Sequence, residues 1–277
     1  MSERAQNHPS SDTSRWNVMA VSYERWAEPL TVHFAREALG LAGCRAGERV
    51  LDVAAGTGAL AVAAAEAGAL VLATDFSPGM VGRLKERLAG FGGCEARVMD
   101  GQALEVEDGR FDASFSMFGV MMFPDFERGL SELVRATRGG GQVVVGAWVG
   151  QEGAGPSPLL GQALRKVFPE TPPSPPTPGG MAVLGTAAGM EAALRKAGCT
   201  EVVVHAVEST WGGASVEGVM GDVEEMLGVM PQFAGLDGEG QGRVKGAFRE
   251  LIAPYVGEDG AVRLPVQANV GVGRKAG

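Results

Sequence analysis

Apolar positions in this chain recur with two different periods, and the switches between them mark out its elements. From Arg15 to Leu41 the spacing is helical, with Trp16, Met19, Tyr23 and Trp26 at three- and four-residue steps. Pro29 divides that stretch into two helices. Short apolar runs follow at 48–54 (ERVLDVA), 69–75 (ALVLATD), 94–100 (CEARVMD), 110–118 (RFDASFSMF) and 141–149 (GQVVVGAWV), and they read as strands. Helical segments separate most of them, at 58–67, 78–88 and 125–137. Ser77 is placed to cap the second of these helices, with Pro78 in its first turn. A helix at 186–197, a strand at 200–208 and two Gly- and Met-rich helices within 211–258 come next. In the last segment Leu264, Val266, Ala268, Val270 and Val272 alternate as a strand does. Strands that alternate with helices predict an α/β fold with a doubly wound, mostly parallel sheet.

Composition narrows the function. Charged residues make up 21% and hydrophobic residues 45%, an ordinary globular balance. The net charge of −9 speaks against a nucleic-acid or anionic-membrane surface. No apolar run approaches the ~20 residues of a membrane span. The opening MSERAQNHPSSDTS has no apolar core of a secretory signal and reads as a disordered lead-in over 1–14. Cys44, Cys94 and Cys199 have no metal-ligand spacing, so no metal is expected, and a reducing cytoplasm fits.

The stretch VLDVAAGTG, residues 50–58, carries the chemistry. A nicotinamide loop reads G-x-G-x-x-G and receives a pyrophosphate on its amides. Here the order is Ala54, Gly56, Gly58, and Asp52 stands two residues before the loop. That carboxylate repels a pyrophosphate and suits a cationic ligand, while the glycines let a ligand lie against bare backbone. The next strand ends at Asp75, about twenty residues on, where an acidic side chain binds ribose hydroxyls. Asp100 ends the third strand, in reach of an adenine amine. A ribose, an adenine and positive charge without a phosphate cradle describe S-adenosylmethionine.

The stretches VLDVAAGTG, VLATDFSPGM, VMDGQAL, FDASFSMFGVMMFPD and LVRATRGGGQVVV together resemble class I S-adenosylmethionine-dependent methyltransferases of the ubiquinone/menaquinone-biosynthesis type. They cover 48–146, in the family's order. The resemblance implies a seven-stranded Rossmann-like sheet with an antiparallel last strand, and it implies roles. Ala54, Gly56 and Gly58 line the methionine end of the cofactor, and Asp75 holds the ribose, with Phe76 and Met80 near the adenine. Asp100, Gly101 and Gln102 meet the adenine rim, and Ser116 and Phe118 flank the methionine moiety. Where quinone methyltransferases carry an Arg-Asn pair after FG, this chain has Val120, Met121 and Met122. That departure sets its acceptor side apart from a quinol site.

Methyl transfer from a sulfonium is an in-line displacement, so positioning and exclusion of water carry much of the catalysis. Tyr23 is expected to reach the cofactor from a covering helix, and Trp26, Met121 and Met122 to face a hydrophobic or aromatic small-molecule acceptor. His33 is the one weak candidate for a base. Two alternatives stay open: a non-catalytic S-adenosylmethionine-binding module, and aminopropyl or carboxymethyl transfer at the same site. The expected layout is a single domain over 15–277. It comprises a helical cover (15–44), a cofactor-binding core (45–150), a lid (151–184), sheet completion (185–210), a helical insert (211–258) and the last strand (259–277). Oligomeric state is open.

Overall fold

A computed structural model describes residues 13–150, 153–170, 179–228 and 231–277. The chain divides into two compact units. One is gathered from 1–150, 177–207 and 268–277, the other from 151–176 and 208–267. The sequence reading drew a single domain instead. Most of the expected lead-in, 1–12, lies outside the described residues. Thr13 and Ser14 already belong to the first helix, α1 (Thr13–Trp26).

The first unit is built on parallel strands. After α1 and α2 (Glu28–Ala42) come β1 (Arg49–Val53), α3 (Ala59–Glu66), β2 (Leu70–Asp75), α4 (Pro78–Leu88), β3 (Glu95–Val98), β4 (Phe111–Met117), α5 (Phe126–Ala136) and β5 (Thr137–Trp148). Then α6 (Ser157–Val167), α7 (Gly179–Leu184), α8 (Ala187–Lys196), β6 (Cys199–Gly213), α9 (Val216–Gly228), α10 (Pro231–Ala234), α11 (Gly238–Ile252) and β7 (Val262–Lys275) follow. The seven strands lie in the order β3-β2-β1-β4-β5-β7-β6. β1 pairs in parallel with β2 and β4, and β4 with β5, while β7 runs antiparallel to β5. The expected sheet and its reversed last strand are both present.

Alternation along the strands divides the core of the first unit between two faces. Val50, Val71, Ala113, Phe115 and Val144 pack against the alanines of α2 and α3 and against Val81, Leu84 and Leu88 of α4. Their neighbours Leu51, Val53, Leu72, Val143 and Val145 are buried on the other side, as are Leu130 and Leu133 of α5 and Met190 and Leu194 of α8. Helix starts follow the local chemistry. Ser77 Oγ accepts from Met80 N and Asp125 accepts from Arg128 N, each satisfying a donor that the first turn leaves unpaired. Pro78 fits the first turn because its missing N–H is not needed there.

In the second unit α6 packs on α11. Val244, Phe248 and Ile252 of α11 and Leu160, Ala163 and Leu164 of α6 are buried. Lys166 and Glu250 pair on the outside of these two helices. Of the expected lid, 151–152 and 171–178 lie outside the described residues; 157–167 and 179–184 are helical.

Candidate functional site

The parallel strands end at one edge of the sheet, the edge at which open α/β sheets bind ligands. β1 leads there into a turn in which Ala54 (φ 56°), Gly56 (φ 58°) and Gly58 (φ 105°) all take left-handed backbone. Glycine adopts that region freely; Ala54 does so against a steric cost of its Cβ. The turn is pinned by its neighbours. Ala55 N donates to Thr74 O of β2 at 2.9 Å, and Gly56 N donates to Asp75 Oδ2 at 3.0 Å. The other oxygen of Asp75 accepts from Ser77 N at 2.9 Å. So the carboxylate at the tip of β2 braces the loop after β1. Only the acceptor capacity that its N–H partners leave remains for a ligand.

Asp52 is 1% exposed, and its Oδ2 has no hydrogen-bond partner. Burial pushes its carboxyl up to about 7, against a lowering hydrogen bond from the Ala61 backbone, and the Asp75 charge pushes the same way as burial. Asp75 rises to about 6, again by burial, held back by the N–H groups of Ser77, Gly56 and Phe76. Two buried acids with one oxygen unpartnered make a site that attracts a cation or a donor. Tyr23 closes it from above. Its ring carbon Cε1 stands 3.6 Å from where a Cβ on Gly56 would be, and burial, then the charges of Asp75 and Glu28, lifts its hydroxyl to about 12.

Asp52, Ala54, Gly56, Tyr23 and Phe118 line one cavity of about 40 Å³. Thr31 and Met117 line it too, unmarked by the sequence reading; neither type stands out without the fold. Gly58 sits just outside, as the residue preceding α3. Phe76 is half-buried directly after Asp75.

The next loop along the edge is held by Gln102. Asp100 Oδ1 accepts from Gln102 N at 2.9 Å and from Gln102 Nε2 at 3.1 Å. Gln102 Oε1 accepts in turn from Asp125 N at 2.9 Å. Gly101 is needed for close approach: a Cβ there would lie 2.7 Å from Phe123 Cε2 and 2.8 Å from Val53 Cγ1. The amide of Gln102 thus orients Asp100, a role that spacing alone did not reveal.

Beyond β4 the environment turns aromatic. Phe118 has left-handed backbone (φ 63°) and stacks on Trp148 with ring centroids 3.8 Å apart and planes at 16°. Phe34 meets both edge-on, at 5.6 and 5.4 Å. Trp148 was not anticipated. It reaches Phe118 because Met117 pairs with Gly146 across β4 and β5.

Several expected residues fall elsewhere. Met80 is 1% exposed on the core face of α4, with Val81, Leu84 and Leu88, and is outside the cavity lining. Ser116 is fully buried and its Oγ accepts from Val120 N, which fixes the turn after β4 and leaves it out of the cavity lining. Met121 is 3% exposed, and a Cβ on Gly180 of α7 would lie 2.7 Å from its carbonyl oxygen; α7 covers it, and it is outside the cavity lining. Met122 is half-buried in the same turn. Trp26 lies edge-on to Tyr23 at 5.3 Å with its indole Nε1 buried and unpartnered, outside the cavity lining. His33 is exposed and edge-on to Phe34, away from the cavity. Among the described residues there is no His/Cys/Asp/Glu group that could hold a metal, and no helix long and apolar enough to cross a membrane.

Residues 50–141 match the family model of a methyltransferase domain. The chain is 43% identical over 100 residues to a demethylmenaquinone methyltransferase of Clavibacter sepedonicus, covering 36% of this chain and 41% of that protein. It is 36% identical over 155 residues to an uncharacterised protein of Mycobacterium tuberculosis, covering 55% of this chain and 54% of the relative. The chain thus spans about half the length of the curated relatives it matches. Its fold is similar to the crystal structure of phosphoethanolamine N-methyltransferase 2 of Haemonchus contortus in complex with S-adenosylhomocysteine and phosphomonomethylethanolamine. The TM-score is 0.56 at 19% identity, over 94% of this chain and 58% of that one.

Proposed function

The chain carries a class I S-adenosylmethionine-dependent methyltransferase domain, and from that premise we propose that it transfers a methyl group from S-adenosylmethionine to a small hydrophobic or aromatic molecule. The observation that carries the cofactor is the unpartnered, buried Oδ2 of Asp52 beside the bare backbone of Gly56. A phosphate-bearing cofactor is repelled there, whereas an ammonium or sulfonium supplies the missing partner.

S-adenosylmethionine supplies, when bound, a methyl group on a positively charged sulfur, already activated for in-line displacement. The chain's own residues bind and orient. Asp52 attracts the cationic methionine end, and Asp75 offers its remaining acceptor capacity to the ribose hydroxyls. Asp100, oriented by Gln102, accepts at the adenine rim, next to Gly101. Gly56 and Gly58 allow contact with main chain, and Phe76 packs beside the base. Tyr23 and α1 exclude water, which strengthens each electrostatic contact beneath them. Phe118, supported by Trp148 and Phe34, offers an aromatic wall that favours both a cation and a flat acceptor. We assign no catalytic base, and His33 takes no part. The acceptor reading rests on this aromatic and apolar lining and on the absence of the Arg-Asn pair.

The small cavity keeps one competing reading, a cofactor-binding module without turnover. Calorimetry against S-adenosylmethionine, S-adenosylhomocysteine and NADH tests the cofactor; tighter binding of NADH overturns it. Transfer of labelled methyl to any member of an aromatic acceptor panel then separates an enzyme from a binding module.

A further inference from the structure

We propose that Arg83 and Arg87 of α4 form, with Glu24, Glu28 and Asn17, a latch that holds the covering helix α1 shut over the Gly-rich loop, so that opening of this latch sets how fast the loop's ligand enters and leaves. The gating half rests on the cofactor reading above; the latch itself does not.

Two matched stripes make the latch. On α4, Gly79, Arg83 and Arg87 are four residues apart and so share one face. Facing them are Asn17 and Glu24 of α1 and Glu28 in the first turn of α2. At the upper end α1 comes very close: a Cβ on Gly79 would lie 2.8 Å from Asn17 Cα. Asn17 Oδ1 there accepts from Ser77 Oγ at 2.7 Å and from Gly79 N at 2.8 Å. One turn on, Arg83 donates to Glu24 through Nε at 3.0 Å and Nη2 at 2.8 Å. A further turn on, Arg87 donates to both oxygens of Glu28, with Nη2 at 2.6 Å from Oε1. Arg87 Nη1 also donates to Thr57 O at 2.8 Å, one residue from Gly56.

Exposed ion pairs contribute little, but this set differs in two respects. Its inner pair is mostly buried, with the side chains of Arg87 and Glu28 only 20% and 17% exposed, and it is a forked, networked pair. It also touches the loop itself through the Thr57 carbonyl. Tyr23 lies between the latch points and over Gly56, so α1 cannot lift without uncovering the loop. The cavity beneath is about 40 Å³, far below the roughly 300 Å³ at which pockets for drug-sized ligands begin. A ligand with an adenosine group cannot pass while α1 is seated. Arg87 is therefore a positioning residue: it acts through Glu28 on the cover and through Thr57 on the loop.

The test uses the full chain and two unrelated ways of opening the latch, Arg83→Gln/Arg87→Gln by charge and Gly79→Ala by sterics. In ligand-free protein, hydrogen exchange over 13–26 is expected to quicken about tenfold in both, while β1 and β4 stay protected. In the wild type it is expected to quicken as salt is raised from about 0.05 M to about 0.5 M. Stopped-flow dissociation of S-adenosylhomocysteine is expected to quicken several-fold in both variants and to recover in part in Arg83→Lys/Arg87→Lys, which keeps both charges and a donor for Thr57 O. Unchanged helix exchange in both variants overturns the latch. Faster exchange with unchanged dissociation overturns the gating. A wild type that does not bind S-adenosylhomocysteine overturns the cofactor reading, and the exchange experiment then decides the latch alone.

Discussion

The turns after β1 and after β4 begin alike and end in opposite chemistry. Each opens with a non-glycine residue in left-handed backbone, Ala54 at φ 56° and Phe118 at φ 63°. Each breaks a buried parallel strand at the same edge of the sheet. After β1 the side chains shrink to alanine and glycine, and buried acids supply the chemistry. After β4 the side chain is a phenyl ring stacked on Trp148. The two turns even touch: a Cβ on Gly119 would overlap the Cβ of Ala54 and lie 3.0 Å from Ser116 Oγ. One backbone solution, used twice, therefore builds the polar side proposed for the methyl donor and the apolar side proposed for its acceptor, and the two share a wall.

Asp75→Ala attacks the polar side hardest. It removes the acceptor for Gly56 N and Ser77 N as well as the proposed ribose contact. Cofactor binding is expected to weaken by about 1.5–3 kcal/mol, roughly ten- to hundredfold, by calorimetry. A loss below about threefold breaks the assignment.

Acidity sharpens the same side. Asp52 at about 7 must be ionised to hold the proposed cationic methionine end, and Asp75 at about 6 to accept fully from the proposed ribose hydroxyls. Affinity for S-adenosylmethionine is expected to level off above about pH 8 and to fall as pH drops through 7 and 6, by up to about tenfold per unit. On stability these groups act in the other direction. Their folded values lie above the unfolded 3.8, so their contribution is full below about pH 4 and is lost as pH rises through 7. Asp52→Asn should flatten the binding profile and leave the protein more stable at pH 8 in a denaturant titration.

Gly119→Ala strikes the shared wall. Overpacking there is expected to cost about 1–3 kcal/mol in urea unfolding and to disturb both sides together. Wild-type stability in this variant means that the two turns do not touch. Phe118→Ala should have the narrowest effect. Losing the aromatic stack is expected to raise the KM of an active acceptor several-fold, in line with ~0.5–1.5 kcal/mol per ring pair, with cofactor affinity within about twofold of wild type. Equal losses on both sides break the division.

Most of the sheet was legible because its strands are short apolar runs punctuated by glycine and proline. The acids Asp52, Asp75 and Asp100 were visible for the same reason: each stands at or near the end of such a run. Contacts that depend on register were not. Trp148 lies thirty positions beyond Phe118 and meets it only through the pairing of β4 with β5. Met121 looked free because it follows Phe118 and Gly119, and nothing nearby announces that Gly180 will press on it. The burial of Met80 was legible in its spacing with Val81, Leu84 and Leu88, which marks a core face. The division into two compact units is hard to read along the chain, because each unit is gathered from separate segments.

That interleaving has a consequence for how the protein is made. β5 receives its outer neighbour, β7, only after residues 149–261 have been synthesised, because β7 begins at Val262. Until then Val143, Val144 and Val145 lie on an open strand edge, a template for pairing with another chain. The ribosome-bound intermediate should therefore need chaperone protection over that interval, and slow translation of 149–261 should lower soluble yield even though no residue of the site lies there.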